Sequence, residues 1–118
     1  MTKEERIKAA RALHKQCCNC CQAVVMAYAD RLPIDKDAAM NVAAPFGRGL
    51  AGTREVCGCV SGMAMVCGLT GHNADVRQLI EKFRVEQGDI VCGRLLAQGK
   101  KPCNEMVADA AGYLADVI

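Results

Sequence analysis

The chain has 118 residues, enough for the core of one domain. Hydrophobic residues make up 52% and aromatics only 3%, so its core draws on Ala, Val, Leu, Met and Cys, which favours helices packed through small side chains. Lys+Arg 15 against Asp+Glu 13 leave a net charge of +2 with no basic run, which excludes the footprint of a nucleic-acid binder; the apolar stretches are also shorter than the roughly 20 residues of a membrane span.

The opening MTKEERIK is charged and lacks the apolar run of a secretory signal, so the expectation is a soluble cytoplasmic protein. Ile7, Ala10, Leu13, Cys17, Cys20, Val24 and Ala27 recur at three- and four-residue steps, predicting one helix from about Lys3 to Leu32, closed by Pro33. Asp35 is the expected N-cap of a short helix to Ala43 or Ala44. PFGRGLAG, with Gly47, Gly49 and Gly52, is the longest irregular stretch and the expected functional loop. A third helix is predicted from Arg54 to Leu69, capped by Thr53 and stopped near Gly71. Asn73 opens a fourth with Val76, Leu79, Ile80 and Phe83 on one face, ending at Gly88. Asp89 caps a fifth that ends at Gly99, and Pro102 opens a last helix to about Asp116. No strand pattern, linker or repeat interrupts this. The expected fold is all-α: a single domain over residues 1–118, a bundle of about five to six helices with a glycine-rich loop before the third.

Nine cysteines stand out. A reducing compartment disfavours structural disulfides, so such a chain is expected to bind metal or do redox work. The odd count leaves at least one thiol unpaired in a monomer. In QCCNCCQ, a continuous helix sets Cys17 beside Cys20 and Cys21, and Cys18 beside Cys21. The stripe then turns Cys17 and Cys20 toward the core, with Cys21 at its edge, Cys18 lateral and Asn19 only setting the phase. In EVCGCVSGMAMVCGL, Gly58 and Gly62 form a small-residue face that invites a close neighbour; each helical glycine costs ~1 kcal/mol relative to alanine, so near approach of a backbone or a cofactor is the natural compensation. Cys57, Cys92 and Cys103 fall in the first turns of their predicted helices, where the dipole favours thiolates. Cys67 reads as core packing, Cys18 and Cys59 fit either reading, and neither His14 nor His72 needs a metal.

NCCQAVVMAYADRL, AAPFGRGLAGTREVCGCVSGMAMVCGL, DIVCGRLL and KPCNEMVADAA together resemble the C-GCAxxG-C-C family of redox-active proteins. The resemblance runs from about Asn19 to the last helix. It implies a helical fold, a redox role and a four-cysteine site at Cys20, Cys57, Cys92 and Cys103. Two positions depart from the family pattern, which usually has alanine where this chain has Cys21 and Cys59. The motif also occurs in proteins that attach haem covalently, but the chain has no C-x-x-C-H, so covalent haem is not expected.

Three mechanisms suit such a site. The first is an iron–sulfur cluster on those four cysteines working in electron transfer, with Gly47, Gly49, Gly58 and Gly62 letting the backbone approach the cofactor. Cys17, Cys21 and Cys59 are its candidate additional ligands, or resolving thiols in the second mechanism. That second mechanism is thiol–disulfide exchange, with Cys57 or Cys103 attacking and one of the Cys17–Cys21 group resolving, although no acid or base stands out nearby. The third is Cu(I) or Zn(II) bound by thiolates, with methionines assisting copper. A redox partner protein is expected in the first two, and the Gly58/Gly62 face leaves a homodimer open.

Overall fold

The computed structural model describes residues 1–118. It contains seven α-helices: α1 (Lys3–Gln16), α2 (Cys20–Met26), α3 (Lys36–Ala43), α4 (Gly58–Thr70), α5 (Val76–Gln87), α6 (Cys92–Gln98) and α7 (Cys103–Ala115). Short 3₁₀ turns occupy Ala29–Arg31, Ala44–Phe46 and Asn73–Asp75, and Gly47–Leu50 makes a single helical turn broken by left-handed Arg48 and Gly49. The only extended pairing is one antiparallel bridge between Val56 and Val91, so the fold is all-α as expected. No helix is long and apolar enough to cross a membrane.

The first predicted helix is two helices. The chain leaves α1 at Cys17 (φ −147°, ψ −24°) and restarts at Cys20. Asn19 is the cause: its side chain accepts from Gln22 N–H at 2.9 Å, while Gln22 Oε1 accepts from Asn19 N–H at 3.0 Å. This reciprocal capping box satisfies two donors that a fresh helix start would otherwise leave open. Asn19 also donates to the Ala44 carbonyl at 2.9 Å and Gln22 to that of Met40 at 3.1 Å, tying the break to α3. The restart changes the phase of everything after it. Cys21, expected at the edge, is thereby fully buried, whereas Cys17, expected in the core, is exposed because α1 ends at it in a non-helical conformation.

The third predicted helix begins later than expected. Thr53 does not cap it; its hydroxyl donates to the carbonyls of Gly49 (2.9 Å) and Leu50 (2.8 Å) inside the loop. Residues 54–57 run beside 90–93 instead, through Cys57 N to Ile90 O (2.8 Å), Cys92 N to Glu55 O (2.6 Å) and Gly93 N to Arg54 O (3.0 Å). These bonds deliver Cys57 as the N-cap of α4. Asp89 caps no helix directly. Its carboxylate accepts from the N–H groups of Ile90 and Val91, and α6 starts at Cys92. The expected stops at Gly71, Gly88 and Gly99 are all present, each in the left-handed conformation.

Helix α2 is the hub, packed against α1, α3, α4 and α7. The Gly58/Gly62 face of α4 lies buried against α2, so this chain's own helix uses the surface that had been open to a second chain. Val24, Val66, Phe83, Val107 and Leu114 fill the core, and Phe83 meets Tyr113 edge-on at 6.5 Å. Arg6 is buried at 4% exposure, donates to the Ala27 carbonyl (3.0 Å), pairs with Asp30 and covers the Tyr28 ring. α1 and α7 are joined by the Arg11–Glu105 and Lys3–Asp116 pairs, which brings the start of α7 beside the end of α1.

Candidate functional site

A cavity of about 400 Å³ opens where the starts of α2, α4, α6 and α7 meet. Cys20, Cys57, Cys92 and Cys103 all line it. Each stands at a helix start: Cys20, Cys92 and Cys103 are first residues, and Cys57 is an N-cap. Cys57 is buried, Cys20 and Cys92 are partly exposed, and Cys103 faces solvent. Cys17, Cys18 and Cys59 also contribute to the wall, whereas Cys21 and Cys67 do not. Leu95 and Met106 form its apolar side, and His14, Arg48 and Arg54 its cationic or titratable side. No three His, Cys, Asp or Glu side chains converge closely enough to hold a single metal ion.

The thiols are not electrostatically equivalent. Cys20 is brought down to about 6, chiefly by the Cys59 thiol beside it and then by the N–H groups of Arg48 and Cys21 and the charge of His14, all against the effect of burial. The Cys59 thiol also lowers Cys57, helped by the N–H groups of Cys59 and Val60 at the start of α4, which face the sulfur without closing a capping hydrogen bond. Cys59 itself is raised, because its proton serves both neighbours and it is buried. Cys103, although exposed at the rim, is partly desolvated by the cavity wall and is raised by that and then by the negative charge of Cys20, Cys57 and Cys92. On the paired segments 54–57 and 90–93, Arg54 Nη1 approaches Cys92 Sγ at 3.7 Å.

The loop that carries the two arginines is strained. Arg48, Leu50, Ala51 and Arg54 all have positive φ (53° to 72°), a conformation that costs a non-glycine residue about 1–3 kcal/mol. Ala51 N to Pro45 O (2.7 Å) and Glu55 N to Gly49 O (2.8 Å) hold it in place. At each glycine expected to admit a cofactor, the near neighbour is this chain. A Cβ at Gly47 would come within 2.6 Å of Asn19 Cβ, one at Gly49 would strike the backbone of Arg54, one at Gly58 would strike Cys20 Sγ, and one at Gly62 would lie 3.0 Å from Val24 Cβ.

The remaining cysteines are core residues. Cys21 is fully buried with its sulfur 3.9 Å from Met65 Sδ, and burial pushes it up to about 12. Cys67 is fully buried too, pushed up to about 11 by burial.

Residues 18–117 match the family model described as "Putative redox-active protein (C_GCAxxG_C_C)". The chain belongs to this family. No curated protein and no solved structure matches it. Within this C_GCAxxG_C_C member, the four cysteines named by the sequence pattern are brought to one cavity. The sequence reading missed Asn19, which sets the break ahead of Cys20, although Asn19 and Gln22 three residues later are a readable capping-box pair. It also missed His14, Arg48 and Arg54, for which no local pattern exists, and the donor role of Cys59.

Proposed function

We propose that Cys20, Cys57, Cys92 and Cys103 hold an iron–sulfur cluster and that the protein exchanges electrons with a redox partner protein. The observation that carries this is the gathering of four cysteines, from the starts of four helices, around one 400 Å³ cavity. Four thiolates are the usual ligand set of both common cluster types. Zn(II) also accepts four thiolates, but it supplies no redox chemistry, which the family description calls for. When bound, such a cluster supplies one-electron exchange.

The chain's own residues then have definite tasks. Cys20 and Cys57 are held toward the thiolate form, the state that ligates. Arg48 and Arg54 offset negative charge at the wall, and Leu95 and Met106 exclude water from the apolar side. Cys103 lies on the exposed side, which sets the face a partner would approach.

The test is an absorption spectrum with iron and sulfide analysis on protein purified without oxygen. Brown protein that bleaches with dithionite and holds iron and sulfide in near-stoichiometric amounts is expected. Cys20→Ser should remove that signal and Cys67→Ser should leave it. Protein that stays colourless and iron-free after reconstitution sinks the reading.

A second reading, thiol–disulfide exchange, is favoured by one observation: Cys20, near 6, stands beside the Cys59 thiol. A thiolate already formed at neutral pH is the attacking species in such exchange. Iron-free protein that loses thiols in pairs on oxidation, with Cys20→Ser abolishing the loss, would support it.

A further inference from the structure

Cys17 and Cys18 lie outside the four-cysteine set, and Cys17 lies outside the family match. Successive residues of an α-helix point about 100° apart, so neighbouring thiols within one diverge. Here the helix is interrupted at these two residues, and the Asn19–Gln22 capping box keeps the interruption in place. The two sulfurs meet as a vicinal disulfide. Cys18 is 8% exposed, with its sulfur 4.0 Å from Met40 Sδ, while Cys17 is exposed. Both line the cysteine cavity, and Cys17 also lines a second cleft with Gln22, Ala44 and Arg48. Cys17 therefore stands on the ridge between two clefts, reachable from solvent while its partner is shielded.

A structural staple would make poor sense here. Disulfides stabilise by restricting the unfolded chain, and the effect grows with the length of the loop they close. Neighbouring residues close no loop.

We propose that Cys17 and Cys18 are a reversible vicinal dithiol–disulfide couple at the cavity rim, reduced by an external dithiol that approaches Cys17. A thiolate of the dithiol attacks Cys17 Sγ; the Cys17–Cys18 bond breaks and Cys18 leaves as a thiolate that takes up a proton. The second thiol of the reductant attacks its own sulfur in the mixed disulfide and releases Cys17. The reductant loses two electrons and two protons and becomes a disulfide, and the pair gains both. This couple does not depend on what the four cavity cysteines bind.

The experiment equilibrates the full chain in dithiothreitol buffers of graded redox poise, quenches with acid, alkylates and weighs the intact protein. Wild type should gain two thiols in one two-electron step. Cys17→Ser and Cys18→Ser should each lose that step, and Cys21→Ser should keep it. Phenylarsine oxide, which bridges two thiols with loss of water, should add once more to reduced wild type than to reduced Cys17→Ser. Circular dichroism checks that the variants fold, and Cys17, being exposed, is the safer replacement. Iron and sulfide are measured on the same samples, so that failure of the couple and failure of the cluster reading are seen separately. The proposal is overturned if Cys17→Ser retains the two-thiol step and the same arsenical uptake. It is equally overturned if both thiols stay reduced at every poise.

Discussion

Replacing Gly58 with alanine places a methyl group where Cys20 Sγ already lies. The added Cβ would sit closer to that sulfur than any real contact allows, with Phe46 O at 3.0 Å and Cys21 N at 3.1 Å behind it. A relaxed separation is ~3.5–4.0 Å, so the thiol must move by more than ~1 Å or α4 must back away from α2. Overpacking of this kind costs about 1–3 kcal/mol. Gly68, ten residues further along the same helix, is the internal control. Nothing lies within 4 Å of a Cβ there and the position is exposed, so alanine should stabilise by up to ~1 kcal/mol through helix propensity alone. The same substitution in one helix should therefore act with opposite signs. At this chain length 1 kcal/mol corresponds to roughly 3–6 °C in Tm, which thermal unfolding followed by circular dichroism resolves easily. Gly58→Ala should also change the alkylation rate of Cys20, with Gly68→Ala leaving it alone. Equal Tm shifts for the two variants, or unaltered Cys20 reactivity in Gly58→Ala, would refute the claim that this glycine exists to seat the Cys20 sulfur.

Two further predictions concern charge. In the cluster-free protein, Cys20 should alkylate with a rate that rises through about pH 6, because the thiolate is the reactive form; Cys59→Ala, which removes the neighbouring donor, should move that inflection upward, while Cys21→Ala should not. An unmoved inflection in Cys59→Ala would show that the donor is something else. Asp30→Asn should destabilise the fold by about 1–2 kcal/mol at pH 7, since it strips the buried Arg6 guanidinium of its half-exposed carboxylate partner. Arg6 holds the Asp30 carboxyl below its ordinary value. Its contribution is therefore present above the unfolded carboxyl pKa of about 3.9 and is lost as pH falls through the lower folded one. The gap between wild type and Asp30→Asn in urea midpoint should shrink between pH 7 and pH 3; a constant gap would refute the assignment.

What could be read from the sequence was local. Asp35 as an N-cap, Gly71, Gly88 and Gly99 as stops, and Pro102 ahead of the last helix each act through their own backbone, so residue identity was enough. The break at Cys17 was harder. The apolar stripe runs through it without losing period, yet the interruption resets the phase of the residues after Asn19, which buries Cys21, while Cys17 is exposed because α1 ends there in a non-helical conformation. The late start of α4 lay beyond any local reading, because residues 54–57 are drawn extended by partners at 90–93, more than thirty positions away. Arg48 and Arg54 reach the cavity wall from left-handed backbone that nothing in PFGRGLAG or TRE announces.

Cys21 and Cys59, both beyond the four-cysteine set, differ in consequence. At Cys21 the sulfur meets Met65 in the core, where an alanine would leave only a small void. At Cys59 it supplies the one thiol proton between Cys20 and Cys57, and both are lowered through it. Cys59 is itself raised by these two neighbours and by burial, so of the three sulfurs it is the one that keeps its proton. Replacing it with alanine would leave both cavity thiols without that donor, whereas the same change at Cys21 would leave them as they are.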